Sequence, residues 1–368
     1  MDLDDLLREA VERGASDIHL KVGSAPFVRV DGHLERTGHE PVTPAETERI
    51  AFAIMPKLRT EEFIATSEAD FAYSVSGLGR FRCNVMRQRG SVGLVLRRVQ
   101  LSIPSFDELG LPPVVRRLAE NPRGLVLVTG PTGSGKTTTL ASMIDHINET
   151  MARHVVTIED PIEVLHQDKM CIINQREVGT DTADFHTALK RVLRQDPDVI
   201  LIGEMRDPET VATALAAAET GHLVFSTLHT INATESINRI IDFFPPHQQR
   251  QIRMALAGAL RGIVSQRLVE MRGGVGRIPA VEVLVATGRV FDKIVNAEET
   301  YEIEEVIAEG EYYGMQTFDQ SLLGLYRQGS IDLREALAAS TRPHDLRLMI
   351  EQHTMAEAEA ADSTADAV

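Results

Sequence analysis

Apolar positions in the first hundred residues fall in short strand-like runs broken by turns. In Pro26-Phe27-Val28-Arg29-Val30 the run ends at Asp31-Gly32, a dipeptide suited to a tight hairpin because both residues tolerate positive φ. The pattern predicts a small α+β domain over 1–99. After Val99 the period is lost, and Pro104, Gly110, Pro112 and Pro113 mark 100–113 as a linker. From Leu125 apolar strands (125–129, 155–159, 199–202 and 223–227) alternate with helices of about a dozen residues, which predicts a parallel sheet covered on both faces. The helix after Gly135 is read from Leu140, Met143, Ile144 and Ile147 at i, i+3, i+4 and i+7. Asp207-Pro208-Glu209 supplies an N-cap, a first-position proline and a first-turn acid. Asn232 and Glu235 start another helix, with Ile237, Ile240, Ile241 and Phe244 on its apolar face. This core is placed at 114–286 and a polar helical region at 287–353. An Ala-rich tail at 354–368, carrying Glu357, Glu359, Asp362 and Asp366, is expected to be disordered.

Composition narrows the class. The chain of 368 residues is 43% apolar and 25% charged, too apolar for disorder and long enough for two domains. No apolar run approaches the ~20 residues that cross a bilayer. Asp2, Asp4 and Asp5 follow Met1 where a signal peptide carries cations, so a cytoplasmic protein without direct membrane insertion is expected. Cys83 and Cys171 form no C-x-x-C pair, which excludes a zinc cluster and a disulfide framework. A net charge of −16 argues against non-specific nucleic-acid binding. Against that background, Arg80, Arg82, Arg87, Arg89, Arg97 and Arg98 occur with no acid among them. Arg80 and Arg82 share a strand face by alternation and are suited to reach a neighbouring subunit's phosphates. A solvated basic face and a nucleic-acid or lipid patch are the competing readings; the lack of interleaved Trp or Tyr weakens the latter.

Gly130-Pro131-Thr132-Gly133-Ser134-Gly135-Lys136-Thr137, followed by Thr138, fits G-x-x-x-x-G-K-[ST] and stands between a predicted strand and a predicted helix. Glycines let backbone N–H groups turn inward around phosphate oxygens, Lys136 reaches the β- and γ-phosphates of ATP, and Thr137 offers a hydroxyl to Mg²⁺. Hydrolysis needs more than this cradle. The apolar strand Val199-Ile200-Leu201-Ile202-Gly203-Glu204 ends in an acid, the Walker B arrangement, placing Glu204 beside Mg²⁺. Thr157-Ile158-Glu159-Asp160-Pro161-Ile162-Glu163 ends in three carboxylates suited to activating water, or to forming a solvated acidic turn. His222 and His229 bracket a further buried strand; His229, at its carboxyl end, is suited to sensing the γ-phosphate or linking subunits.

Five ordered stretches resemble a known family. Gly14-Ala15-Ser16-Asp17-Ile18-His19-Leu20, Gly79-Arg80-Phe81-Arg82, residues 157–163, Ile202-Gly203-Glu204-Met205-Arg206-Asp207 and residues 221–230 are similar, in order, to the N-terminal signature, arginine-bearing strand, Asp box, Walker B and His boxes of the secretion ATPase superfamily, in its type IV pilus retraction branch. The resemblance covers most of the chain. It implies an α/β fold in which a RecA-like P-loop ATPase domain is joined to a smaller α+β PAS-like N-terminal domain. It also implies a homohexameric ring, with ATP between one subunit's core and the next subunit's N-terminal domain. Glu163 is implied as general base, Glu204 as the residue near Mg²⁺, and Arg82 and Arg97 as arginine fingers. The implied partners are the inner-membrane pilus platform protein and a paralogous retraction ATPase, with the chain peripheral at the inner face of the cytoplasmic membrane. The tetracysteine zinc motif and extra N-terminal domain of assembly and secretion paralogues are missing, so retraction is expected. At Arg289-Val290-Phe291-Asp292-Lys293-Ile294-Val295-Asn296 the chain departs from the A-I-R-N-L-I-R-E helix of retraction motors, lacking both motif arginines. Residues 315–320 and 345–348 are closer to accessory retraction ATPases. An accessory subunit, and a nucleotide-gated regulator without productive turnover, remain alternatives.

Overall fold

A computed structural model describes residues 2–30, 32–99, 102–274 and 276–352. The tail expected at 354–368 lies outside the described residues, as does Asp31 of the hairpin dipeptide. Contacts divide the chain into two units, one of residues 1–102 with 162–165, the other of 103–161 with 166–368.

In the N-terminal unit, α1 (Leu3–Glu12) starts where the Asp2 side chain accepts from the Asp4 and Asp5 amides, and it buries Leu3, Leu6, Leu7 and Ala10. Three short strands follow, β1 (Asp17–Leu20), β2 (Phe27–Val30) and β3 (His33–Arg36), the last two joined through Gly32 at φ +82°. Helix α2 (Pro44–Ile54) is fixed by a capping box between Thr43 and Glu46. After α3 (Lys57–Thr66) come β4 (Glu68–Val75), β5 (Gly79–Gln88) and β6 (Ser91–Arg98). The strands form an antiparallel sheet in the order β3-β2-β1-β6-β5-β4. Alternation sends Phe81, Cys83 and Val85 into a core shared with the three helices and leaves Arg82, Asn84 and Met86 on the other face. Burial pushes the Cys83 thiol up to about 12.

The second unit opens with α4 (Pro113–Ala119), β7 (Gly124–Thr129), α5 (Lys136–Thr150), β8 (His154–Glu159), β9 (Ile172–Glu177), α6 (Phe185–Val192) and β10 (Val199–Ile202). It continues with α7 (Pro208–Glu219), β11 (Leu223–Leu228), α8 (Ala233–Asp242), α9 (Pro246–Ala259), β12 (Leu260–Glu270) and β13 (Arg277–Val285). The sheet order is β13-β12-β7-β11-β10-β8-β9, parallel throughout except for the β12–β13 pair. Each central strand feeds two cores. In β7, Leu125 and Leu127 pack towards α7 to α9, whereas Val126 and Val128 pack towards α4 and α5. Such two-sided burial is the condition for the continuous apolar runs seen in the sequence.

The antiparallel β12–β13 pair is not foreshadowed by the sequence pattern, and neither is its role. Beyond it lie α10 (Gly288–Val295), α11 (Ile303–Ala308), α12 (Phe318–Arg327) and α13 (Leu333–Ala339). The region expected to be merely polar and helical has its own apolar core: Phe318, Leu322, Ile331, Ala336 and Leu346 pack with Val269 and Ala280 of the hairpin. Arg267 ties the layers together, its guanidinium 3.9 Å from the Phe318 ring centroid and its Nη1 donating to Ala339 O at 2.6 Å.

Candidate functional site

The connections that follow the parallel strands leave the sheet at its carboxyl edge, the edge at which open α/β sheets bind ligands. From β7 the chain enters the glycine loop. Gly130, Gly133 and Gly135 take φ of +142°, +80° and +93°, conformations that side chains resist. A Cβ on Gly130 would lie 2.4 Å from Gln266 O and 2.6 Å from Ser134 Oγ, so only glycine fits there. Gly135 then caps α5 and brings Lys136 into its first turn. Lys136 is buried, with Nζ donating to Gly130 O at 2.8 Å and Pro131 O at 3.0 Å, so its ammonium is already inside the loop. Pro131, Thr132, Gly133 and Thr137 are exposed around it, and Thr138 is half-buried.

Strand β11 separates the loop strand from β10. Its last residue, Leu228, is level with Thr129, so His229 emerges beside Gly130. Gly203, following β10, donates to Ile158 O at 2.8 Å and accepts from Thr227 Oγ1 at 2.6 Å. These bonds present Glu204 at the sheet edge. Its Oε2 accepts from Arg206 Nε at 2.8 Å, and its Oε1 lies 3.5 Å from His229 Nε2. His222, the other bracketing histidine, lies at the amino end of β11, with Nδ1 2.9 Å from Ala217 O, away from this edge.

The three acids at and after the end of β8 do not act alike. Glu159 is committed internally, its Oε1 accepting from Thr157 Oγ1 at 2.6 Å and Gln175 Nε2 at 3.1 Å. Asp160 and Glu163 are exposed. Glu163 lies in 162–165, which groups with the N-terminal unit, and its side chain makes no hydrogen bond or ion pair among the described residues. In the second unit, burial holds the His166 imidazole down at about 4.

On the open face of the N-terminal sheet, register makes a charged row. Arg82 of β5 is opposite Arg97 of β6, Arg97 is opposite Asp17 of β1, and Asp17 is opposite Arg29 of β2. Arg97 Nε donates to Asp17 Oδ1 at 2.8 Å while the side chain stays 70% exposed. Burial alone would raise the Asp17 carboxyl; hydrogen bonds from Arg97 and Ser16 outweigh it and hold the group below the usual carboxylate range. Arg82 is exposed and has no ion pair among the described residues. The other arginines of the cluster are spent differently: Arg87 stacks 5.2 Å from the Phe63 centroid, Arg80 donates to Ser74 Oγ at 3.4 Å, and Arg89 sits in a turn at φ +50°.

Several polar residues around the loop escaped the sequence reading. Gln266 of β12 is 1% exposed and packs against Gly130, and its Oε1, like the Oγ of the expected loop residue Ser134, has no hydrogen-bond partner among the described residues. Thr129, Ser265, Ser236 and Thr230 form a buried hydroxyl chain beneath the loop. The one hint was the polar pair Ser265-Gln266 inside the apolar run of β12.

A nucleotide phosphate fits this cradle. Glycines hold the loop open where a Cβ would fill it, a hydroxyl within it is unpartnered, and an ammonium is in place. For Mg²⁺ the donors on hand are hard oxygens, the exposed Thr137 hydroxyl and the Glu204 carboxylate. Among the described residues no group of three or more His, Cys, Asp or Glu side chains is arranged to hold a metal ion.

Such a cradle at the edge of a parallel sheet defines a P-loop nucleotide-binding protein. Family comparison narrows the class: the family described as "Type II/IV secretion system protein" matches residues 1–274, and the chain belongs to it. The type IV pilus ATPase PilU of Pseudomonas aeruginosa is 43% identical over 359 residues, 98% of this chain and 94% of that protein. The type IV pilus retraction ATPase PilT of the same organism is 42% identical over 345 residues, 94% of this chain and all of that protein. The crystal structure of the pilus retraction motor PilT with bound ADP is similar at a TM-score of 0.86 and 47% identity, covering 94% of this chain and 99% of that one. The chain is a P-loop ATPase of α/β class with a RecA-like core and a smaller N-terminal domain. No described helix is long and apolar enough to cross a membrane.

Proposed function

We propose that the chain hydrolyses ATP to drive retraction of type IV pili, as a homohexamer acting on the pilus platform protein at the inner face of the cytoplasmic membrane. The observation that carries the reading is the phosphate loop, with Lys136 drawn inside it, at the same sheet edge as the paired Glu204 and His229. Relatives named for pilus retraction span nearly the full chain and support the biological direction.

In this reading the loop amides and Lys136 bind the β- and γ-phosphates, at the expense of the lysine's present bonds to Gly130 and Pro131 carbonyls. Thr137 and Glu204 would hold Mg²⁺, which would neutralise charge on the phosphate oxygens. Glu163, exposed and unpaired among the described residues, takes a proton from the attacking water. His229, 3.5 Å from Glu204 and next to the loop strand, reads the γ-phosphate. Arg82 and Arg97, presented side by side on an open sheet face, stabilise the transition-state charge at a neighbouring protomer's nucleotide. Turnover in a ring is thereby tied to contact between protomers, the coupling a motor needs.

Deleting the gene and counting surface pili tests the reading: long persistent filaments with loss of surface movement are expected, and bare cells would show assembly instead. A second reading, an accessory retraction ATPase that works with a paralogous motor, is favoured by α10. The cations this helix does carry, Arg289 and Lys293, both pair within the chain, the first with Glu309 and the second with Glu299 and Glu302.

A further inference from the structure

Glu282 is a buried carboxyl, 5% exposed, on the edge hairpin strand β13. Register places it opposite Ser265, and Ser265 opposite Thr129, so the three form one row across β13, β12 and β7. Thr129 immediately precedes the phosphate loop and donates to Ser265 Oγ at 2.9 Å. On the same face Glu282 Oε1 accepts from the backbone N–H of Ala233, first residue of α8, at 2.8 Å. The segment leading into that helix is His229-Thr230-Ile231-Asn232. Thr230 Oγ1 lies 2.6 Å from Ser236 Oγ, which donates to Asn232 O at 2.6 Å and sits 3.4 Å from Thr129 Oγ1. The His229 segment is therefore clamped twice to the row that ends in the phosphate loop, by the hydroxyl chain and by Glu282.

We propose that Glu282 is a positioning residue for nucleotide turnover, holding the first turn of α8, and with it the His229 segment, against the strand row that carries the phosphate loop. The inference rests on the reading of His229 as the residue beside the γ-phosphate. An amide would satisfy the same N–H at less desolvation cost, so a carboxyl here has to do something an amide does not. Its distinguishing property is charge: an ionised acceptor bonds a helix N-terminal N–H more strongly than a neutral one. Burial pushes this carboxyl up to about 7, against the Ala233 N–H bond, which lowers it. The charged groups around it are Arg267 of β12, which favours ionisation, and Glu304 of α11 and Asp319 of α12, which oppose it. On α8 itself Glu235 is engaged by the Ile231 N–H at 3.2 Å. The clamp is thus tightest in the ionised form, and turnover rises as pH passes through the neutral range.

The test is kcat and KM for ATP of the full chain between about pH 5.5 and about pH 8.5, for wild type, Glu282→Gln, Glu282→Ala and His229→Ala. Wild-type kcat is expected to climb across neutrality, and that climb to flatten in Glu282→Gln with KM kept. Glu282→Ala should lose kcat by on the order of ten- to a hundredfold, the scale of a misplaced reacting group. Should the alanine variant fail to fold, the near-isosteric Glu282→Gln decides through its pH profile alone. A wild-type profile in Glu282→Gln overturns the proposal. If His229→Ala loses turnover in that same experiment, the reading of His229 stands and only the Glu282 clamp falls. If His229→Ala turns over normally, the His229 reading fails and the clamp has nothing to position.

Discussion

The two sheets of this chain assemble charge in opposite ways. In the parallel sheet three functional candidates leave strands at the same edge, and each lies in a short continuous stretch: loop and lysine after β7, Glu204 after β10, His229 after β11. In the antiparallel sheet the row Arg82, Arg97, Asp17 and Arg29 runs across four strands, and only register brings it together. A parallel sheet concentrates chemistry at a rim, where helix N-termini and backbone amides assist it. The antiparallel sheet offers an open, half-solvated face, suited to presenting long cations to something outside the unit. Nucleotide binding should accordingly depend on the first sheet alone, whereas turnover also needs the second.

Between the two sheets, the larger effect is expected from Arg82→Ala. Loss of an arginine that stabilises transition-state charge costs about 10³-fold in turnover, while ATP binding to the isolated chain stays within about twofold. Steady-state hydrolysis by the assembled protein, alongside nucleotide titration, checks both halves, and normal hydrolysis would remove the antiparallel face from the mechanism. Lys136→Ala reverses the pattern. Charge-assisted hydrogen bonds are worth roughly 1.5–3 kcal/mol each, so affinity for ATP should fall by about 10²-fold in a fluorescent-nucleotide titration. Unchanged affinity would detach the phosphate loop from binding.

A smaller effect sharpens the comparison from the side of stability, because two strongly shifted groups belong to the parallel-sheet unit and pull in opposite directions. Glu282, raised to about 7, contributes stability that is fully present below the ordinary glutamate pKa and lost as pH rises through 7. His166, lowered to about 4, contributes stability present above the ordinary histidine pKa and lost as pH falls towards 4. Each is worth on the order of 3 kcal/mol across its window. Urea unfolding should show Glu282→Gln gaining on wild type from about pH 5 to about pH 8. A constant difference would mean the carboxyl does not titrate in the fold.

Most of the parallel sheet was legible because its signals are local. The glycine loop, the Asp207 cap and the strands β7, β8, β10 and β11 are each written within a dozen or so residues, about the reach of helix and strand periodicity. What escaped depends on distant partners. Thr129 and Ser265 are 136 positions apart, and Ala233 and Glu282 are 49 apart, so nothing local marks either pair. The β12–β13 hairpin was hidden for a related reason: an antiparallel pair buried on both faces loses the alternation that identifies one. The arginine cluster was visible as composition, but which of its members face each other was not. Asn232 capped α8 as expected through the Glu235 amide, whereas Glu235 turned to the Ile231 N–H instead of closing a capping box on Asn232.

The central claim is that a triphosphate held at Lys136 is attacked by water activated at Glu163, and Glu163→Gln addresses it most directly. Losing a general base costs on the order of 10²–10⁴-fold in turnover, whereas an amide of the same size leaves nucleotide binding alone. ATP affinity and hydrolysis measured on the same preparation should therefore separate, with binding kept and turnover lost. Hydrolysis at the wild-type rate with binding intact would contradict the account and move the base to another residue.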